Sequence, residues 1–116
     1  MEADTLRILI VCTDLFFGTK ITGTCKAVGR AFAVARTLEK LGTLLEEEPA
    51  GLVIVDLNVT AVDPLAAIRM AKGKGLRVVA FLSHVQVELA AAAREAGADD
   101  VMARSGFSVR LPEIVG

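Results

Sequence analysis

Charged and hydroxyl side chains directly follow several apolar runs of this sequence. They are the carboxylates of Asp14 and Asp56, the hydroxyl of Ser83, the imidazole of His84 and the guanidinium of Arg104. Carboxylate oxygens bind hard divalent cations, and a guanidinium can pair with a carboxylate through two parallel hydrogen bonds. Whether these groups meet depends on the elements that carry them.

Short runs rich in Val, Ile and Leu predict five β-strands. We place them at residues 6–12, 31–36, 51–57, 76–83 and 100–104. Such runs are typical of parallel strands that helices cover on both faces. The second run is the weakest of the five, and its alternation of Phe32 and Val34 favours a strand near an edge of the sheet.

Helical patterns alternate with these strands and have recognisable ends. Thr37 can cap a helix that ends at Pro49, and Asp63 with Pro64 begins a helix that runs to Gly73. An alanine-rich helix ends at Gly97, and a short last helix carries Pro112. Strands that alternate with helices indicate repeated βα units around a parallel sheet.

The stretch Asp14–Arg30 contains glycines and threonines that could cradle a phosphate. Residues 18–24 have the spacing G-x-x-x-x-G-T, but they lack the P-loop lysine and begin several residues after the strand. A phosphate loop must join strand to helix directly so that backbone N–H groups face the anion. A helix explains the stretch better, with an apolar stripe at Phe17, Ile21, Cys25 and Val28. We also expect Phe16 or Phe17 to stay partly exposed as an interaction surface.

Composition narrows the class of protein. The chain has 116 residues, 53% of them hydrophobic, and a net charge of -1, which predicts one domain with an ample core. The balanced charge disfavours binding to nucleic acid or to a membrane surface. No apolar run approaches the roughly 18 residues of a membrane span, so we expect a cytoplasmic protein. Cys12 and Cys25 are expected to be small core residues.

These elements predict one α/β domain over residues 1–116, a doubly wound sheet of five parallel strands. Functional side chains in such sheets lie at the carboxyl ends of the strands. Asp14, Asp56, Ser83 and Arg104 should therefore lie near one another. Simpler roles stay open for each: Asp14 can cap a helix, Asp56 can pair with Arg104 or accept backbone N–H groups, and Ser83 can bond to local backbone. His84 is either a general base or an ordinary loop residue.

Three segments resemble the receiver domain of two-component response regulators. They are LLEEEPAGLVIVDLNV before and after Asp56, VVAFLSHV with Ser83, and AREAGADDVMARSGF with Arg104. The resemblance implies a flavodoxin-like fold with strand order 2-1-3-4-5. It also implies that Asp56 corresponds to the phosphoacceptor, that Ser83 and Arg104 correspond to the residues that engage the phosphoryl group, and that Asp14 and Asp56 are the candidate Mg²⁺ ligands.

The sequence departs from the receiver pattern at the site. Cys12 and Thr13 stand where receivers have two acids, and Asp14 comes one residue later. Arg104 replaces a lysine, and its planar fork does not substitute geometrically for a compact ammonium. Ser105 replaces a proline. Because Mg²⁺ demands oxygen ligands in near-ideal octahedral geometry, these departures predict a degenerate site and no resident cofactor.

The resulting hypothesis is a stand-alone, non-enzymatic pseudo-receiver that acts through protein contacts, independently of phosphorylation. The resemblance implies a histidine kinase or a downstream regulator as partner, or a homodimer, with Phe107 and Leu111 as anchors on the contact face. Two alternatives stay open. One is a Mg²⁺-dependent phosphoacceptor receiver that uses Asp56. The other is a binder of a small molecule or nucleotide.

Overall fold

The computed structural model of the protein describes residues 6–83 and 86–116. The strands are β1 (Arg7–Val11), β2 (Phe32–Ala35), β3 (Ala50–Asp56), β4 (Arg77–Leu82) and β5 (Asp100–Ala103). The helices are α1 (Leu15–Val28), α2 (Leu38–Glu47), α3 (Pro64–Gly73), α4 (Val87–Ala96) and α5 (Arg104–Val115). All strand pairs are parallel, in the order β2-β1-β3-β4-β5. The predicted five-strand sheet and its order are confirmed, with strand ends that differ by about a residue.

Alternation along the strands divides the core between the two faces of the sheet. Ile8 and Ile10 of β1 face the side covered by α1 and α5, whereas Leu9 and Val11 face the side covered by α2, α3 and α4. Every residue of β1 is buried, which explains why its sequence is continuously apolar after Arg7. Strand β2 lies at one edge of the sheet, as its weaker apolar pattern predicted.

The helix ends follow from local chemistry that the sequence predicted. Thr37 accepts the backbone N–H of Lys40 at 3.0 Å, and Asp63 accepts those of Leu65 and Ala66. These bonds satisfy amide groups that a helix start leaves without partners. At the other end of a helix, Gly97 follows α4 with φ at 120°, a conformation that side chains rarely adopt. The three helix boundaries involved are therefore determined within a few residues of sequence.

Arg7 connects the first strand to the end of α2. Its side chain is 8% exposed, and its Nη2 donates to the carbonyl oxygens of Leu44 and Glu48, the latter at 2.9 Å. Nε of Arg7 also lies 3.7 Å from the Glu48 carboxylate. A cation at a helix C-terminus satisfies orphan carbonyl groups and complements the helix dipole. Arg7 thus fixes α2 against the sheet.

Three expectations about apolar residues are wrong. Val28 is 44% exposed, because α1 turns its last residue away from the sheet, whereas Phe17, Ile21 and Cys25 are buried as expected. Phe107 and Leu111, proposed as anchors for a partner, are fully buried. Both pack with the core side chains beneath α1 and α5, so α5 uses them to cover the sheet.

The last helix is also longer than expected. α5 has 12 residues and includes Pro112, whereas α4 has 10. Within the described part of the chain, no helix combines the length and apolar character that crossing a membrane requires.

Candidate functional site

Asp56 occupies the carboxyl end of the central strand β3 and is 2% exposed. Its Oδ1 accepts the backbone N–H of Asn58 at 2.8 Å. Burial raises the pKa of Asp56 above its ordinary value, while the Asn58 N–H and the nearby charge of Arg104 act in the opposite direction. Of the simpler roles considered for Asp56, acceptance of a backbone N–H is confirmed.

The thiol of Cys12 lies against this carboxylate. Cys12 follows β1, is 2% exposed, and places its Sγ 3.7 Å from Oδ2 of Asp56 and 3.8 Å from the carbonyl oxygen of Asp14. Burial is the main cause that raises the pKa of the Cys12 thiol to about 11, and the carboxylates of Asp56 and Asp14 contribute to this rise. The thiol is therefore neutral and donates weakly. Sequence reasoning placed Cys12 in the core but missed its contact with Asp56.

Asp14 begins α1 and pairs with a residue from the far end of the chain. Its Oδ1 accepts the backbone N–H of Phe17 at 3.0 Å, so the predicted helix cap is confirmed. Its Oδ2 lies 3.6 Å from Nη2 of Arg104, the first residue of α5. Arg104 therefore forms its ion pair with Asp14, and it acts on Asp56 through its charge.

Aromatic rings hold the guanidinium of Arg104 in place. Its Cζ lies 4.7 Å from the ring centroid of Phe17 and 6.0 Å from that of Phe81. The rings of Phe81 and Phe107 stack beneath, with centroids 4.5 Å apart. Arginine stacks well on aromatic faces because its guanidinium is planar and weakly hydrated. The cation is thus part of a packed arrangement and not a freely moving surface charge.

Asn58 was not singled out from the sequence, yet it connects three parts of the site. Besides the bond from its N–H to Asp56, its Oδ1 accepts the backbone N–H of Ser83 at 2.6 Å. Its Nδ2 donates to Oε1 of Gln86 at 2.8 Å. Ser83 is exposed at the end of β4, and Gln86 precedes α4. An asparagine two residues after a strand is a common turn residue, so its sequence context alone did not mark it.

The chain is similar to known proteins in structure and not in sequence. No protein-family profile matches it, and no curated protein matches it significantly. A CheY-like response regulator receiver domain from Methanospirillum hungatei superposes with a TM-score of 0.81 at 20% identity, over 95% of this chain and 90% of that chain. An orphan response regulator of H. pylori gives 0.76 at 20% identity, over 99% and 100%. A response regulator from Burkholderia pseudomallei with a phosphorylated aspartic acid, calcium ion and citrate gives 0.77 at 18% identity, over 94% and 70%.

The chain has the fold of a response regulator receiver domain. The predicted resemblance is therefore confirmed at the level of the fold. Within this receiver fold, Asp56, Asp14 and Arg104 lie together at the carboxyl edge of the sheet, as the parallel strand arrangement required. Ser83 lies at the same edge and is connected to Asp56 through Asn58. His84 lies outside the described residues.

The residues of this receiver-like site do not fit a resident Mg²⁺ ion. Among residues 6–83 and 86–116, no three side chains of His, Cys, Asp or Glu are grouped so that they could hold a metal ion. Oδ2 of Asp14 faces the Arg104 cation, and Oδ2 of Asp56 faces the Cys12 thiol. Mg²⁺ selects oxygen ligands, and a neutral thiol and a guanidinium supply none.

The glycine-containing stretch is a helix and not a phosphate loop. Residues 18–24 lie inside α1, where the backbone amides serve the helix itself. The cavity that adjoins Cys12 and Asp14 has a volume of ≈ 90 Å³. Sites for drug-sized ligands occupy about 300–1,000 Å³. A nucleotide therefore does not fit this cavity. Phe16, next to the site, is 92% exposed, whereas Phe17 is buried, so one of the two is exposed as expected.

Proposed function

We propose that this chain is a receiver-type signalling module that works through protein contacts without taking up a phosphoryl group. The observation that carries the proposal is the ion pair between Arg104 and Asp14, 3.6 Å apart beside the buried Asp56. The Arg104 cation already pairs with Asp14, the carboxylate nearest to Cys12 and Thr13, where receivers have two acids. The site therefore has a built-in positive charge where catalysis of phosphoryl transfer would call on a metal ion.

The charge balance around Asp56 supports this proposal. A phosphoryl group brings about two negative charges at neutral pH. On Asp56 they would replace the single charge of its carboxylate at a buried position beside Asp14. Arg104 is the facing cation, and it already pairs with Asp14. Burial also raises the pKa of Asp56, which disfavours the anion that would act as nucleophile. Both effects oppose acyl phosphate formation.

The test is an amide NMR titration with Mg²⁺ followed by beryllofluoride, a mimic of a phosphoryl group on an aspartate. We expect no saturable shifts at Asp56, Ser83 or Arg104 in the wild-type protein, and the same response from Asp56→Asn. A receiver domain that binds both probes serves as the positive control. Saturable shifts in the wild type that Asp56→Asn abolishes would contradict the proposal.

Contact with a partner protein is the second part of the proposal. Leu15 and Phe16 are 67% and 92% exposed at the start of α1, directly after the capping Asp14. Exposed large apolar side chains beside a site are frequent contact residues. A partner identified for the wild type should bind Asp56→Asn equally well and Phe16→Ser more weakly. Weaker binding to Asp56→Asn would point to a role for the carboxylate.

The phosphoacceptor receiver is the alternative, and one comparison favours it. A structural neighbour from Burkholderia pseudomallei contains a phosphorylated aspartic acid and a calcium ion. Asp56, at the end of the central strand, is the corresponding candidate in this chain. In this alternative, the domain would receive its phosphoryl group from a histidine kinase. Labelling with a small phosphodonor that requires Mg²⁺ and Asp56 would establish it.

A further inference from the structure

The side chain of Asn58 uses both of its polar groups in bonds to residues distant in sequence. Its Oδ1 accepts the backbone N–H of Ser83 at 2.6 Å, and its Nδ2 donates to Oε1 of Gln86 at 2.8 Å. Its own backbone N–H donates to Oδ1 of Asp56 at 2.8 Å. We call these contacts among Asn58, Ser83 and Gln86 the Asn58 bridge. The bridge joins the loop after β3 to the end of β4 and to the start of α4.

Gln86 gives the bridge its effect on α4. Gln86 precedes the helix as its N-cap residue, but its side chain makes no capping bond to the helix. Its carbonyl oxygen instead accepts the backbone N–H of Ala90 at 2.9 Å, which closes the first turn. The Gln86 side chain is instead held by Asn58. The position of the first turn of α4 therefore depends on a residue outside the helix.

The bridge also connects α4 to Asp56. A change in the charge of Asp56 alters the strength of its bond with the Asn58 N–H, because hydrogen bonds to a charged acceptor are stronger than those to a neutral one. The side chain of the same asparagine contacts Ser83 and Gln86. Adjacent hydrogen bonds in one network polarise one another. Asn58 is the residue through which such a change would reach both Ser83 and α4.

We propose that Asn58 is a positioning residue that fixes the end of β4 and the start of α4 relative to Asp56, in place of an added phosphoryl group. The proposal deepens the proposed function and rests on it: a module that works without phosphorylation needs another way to hold this end of the molecule in one arrangement. Three bonds within the chain provide it. The arrangement is then a permanent property of the fold.

Amide hydrogen exchange, measured by NMR without Mg²⁺ or beryllofluoride, tests the bridge directly. In Asn58→Ala we expect hydrogen exchange at the Ser83 and Ala90 amides to accelerate by about tenfold or more. The Ser83 N–H loses its acceptor, and the first turn of α4 loses the bond between Asn58 and Gln86. In Gln86→Ala, exchange should accelerate at Ala90 while Ser83 keeps its protection. Thr60→Ala changes an exposed residue of the same loop and serves as the matched control, with both amides unchanged.

A general loss of stability would accelerate exchange throughout the sheet, so amides of β1 and β3 are followed in the same spectra. Acceleration confined to Ser83 and the first turn of α4 supports a positioning role. Unchanged protection of Ser83 in Asn58→Ala would overturn the proposal. Gln86→Ala removes only the contact at the helix start, and it keeps the test decisive even if Asn58→Ala folds poorly. Unchanged exchange at Ala90 in Gln86→Ala would then be the overturning result.

A second readout distinguishes positioning from simple support of the fold. Asp56→Asn should shift the amide resonances of Ser83 and Ala90, and the same substitution in an Asn58→Ala background should shift them less. Equal shifts in the two backgrounds would show that Asn58 does not connect the groups. These measurements are separate from the beryllofluoride titration. Binding of that probe would refute the proposed function while leaving the Asn58 bridge to be judged by exchange.

Discussion

Nη2 of Arg104 lies 3.6 Å from Oδ2 of Asp14, although the two residues are at opposite ends of the chain. The same guanidinium lies over the ring of Phe17, whose backbone N–H donates to Oδ1 of the capping Asp14. Asp14 thus caps α1 and also forms an ion pair with the first residue of α5. The carboxyl edge of the sheet is stabilised by the protein's own charges.

Restoration of receiver-type residues should create metal binding. In the variant Thr13→Asp with Arg104→Lys, an acid follows Cys12 directly, and a compact ammonium replaces the guanidinium that pairs with Asp14. We expect Mg²⁺ to produce saturable shifts at Asp56 in this variant at millimolar concentration, because the new carboxylate at position 13 adds an oxygen ligand beside Asp14 and Asp56. The measurement is an amide NMR titration. Arg104→Lys alone is the control and should bind weakly, so equal binding by both variants would show that the missing acid is unimportant.

Asp56→Asn should stabilise the protein increasingly as the pH rises. Burial raises the pKa of Asp56 above its ordinary 3.8, so the folded state holds this proton more tightly than the unfolded chain does. Stability from this group is therefore fully present at low pH and is lost as the pH rises through the folded pKa. Asparagine avoids that loss. The difference in Tm between variant and wild type should be larger at about pH 7 than at about pH 4.

A difference in Tm that is constant with pH would contradict the raised pKa of Asp56. Asp63→Asn is a suitable control, because Asp63 is an exposed helix cap whose carboxylate accepts two backbone N–H groups at the start of α3. Loss of that carboxylate should cost stability at neutral pH, about 1 kcal/mol or less, since asparagine also caps helices well. The two variants should therefore change Tm in opposite directions at neutral pH.

Phe107 should be essential for stability and unimportant as a surface contact. It is fully buried and stacks on Phe81, which supports the Arg104 guanidinium. Phe107→Ala should lower the free energy of unfolding by about 3–5 kcal/mol, as expected for loss of a buried aromatic ring. Val109→Ala, at a position of the same helix that is 82% exposed, should change it by less than about 0.5 kcal/mol. Urea denaturation measures both, and similar values would contradict the burial of Phe107.

Arg7 should contribute to stability through hydrogen bonds and not through its ion pair. Arg7→Met keeps most of the aliphatic length but removes the donors to Leu44 and Glu48, so we expect a loss of about 2–3 kcal/mol in urea denaturation. Glu48→Gln removes the carboxylate, which is 67% exposed, and should cost less than about 1 kcal/mol. A larger effect from Glu48→Gln would assign the stabilisation to the ion pair instead.

Local patterns predicted most of the fold. Strands with both faces covered read as continuous apolar runs, and β1 after Arg7 and β3 before Asp56 have this property in the sequence as in the structure. Caps at Thr37 and Asp63 act on amides two or three residues away. The prediction that Phe107 and Leu111 anchor a partner is wrong, because both are buried. The apolar pattern of α5 is weak, so the sequence does not distinguish a residue that faces the core from one that faces a partner.

The sequence by itself determined the elements, their parallel order through the receiver resemblance, and the edge of the sheet where Asp14, Asp56 and Arg104 would lie. Tertiary structure alone decided the partner of each group. Arg104 pairs with Asp14 while Asp56 faces a thiol, and Asn58 connects Ser83 to Gln86. The reason is physical: capping and alternation act over a few residues, whereas an ion pair or a side-chain bridge depends on ångström distances that exist only after the strands have packed.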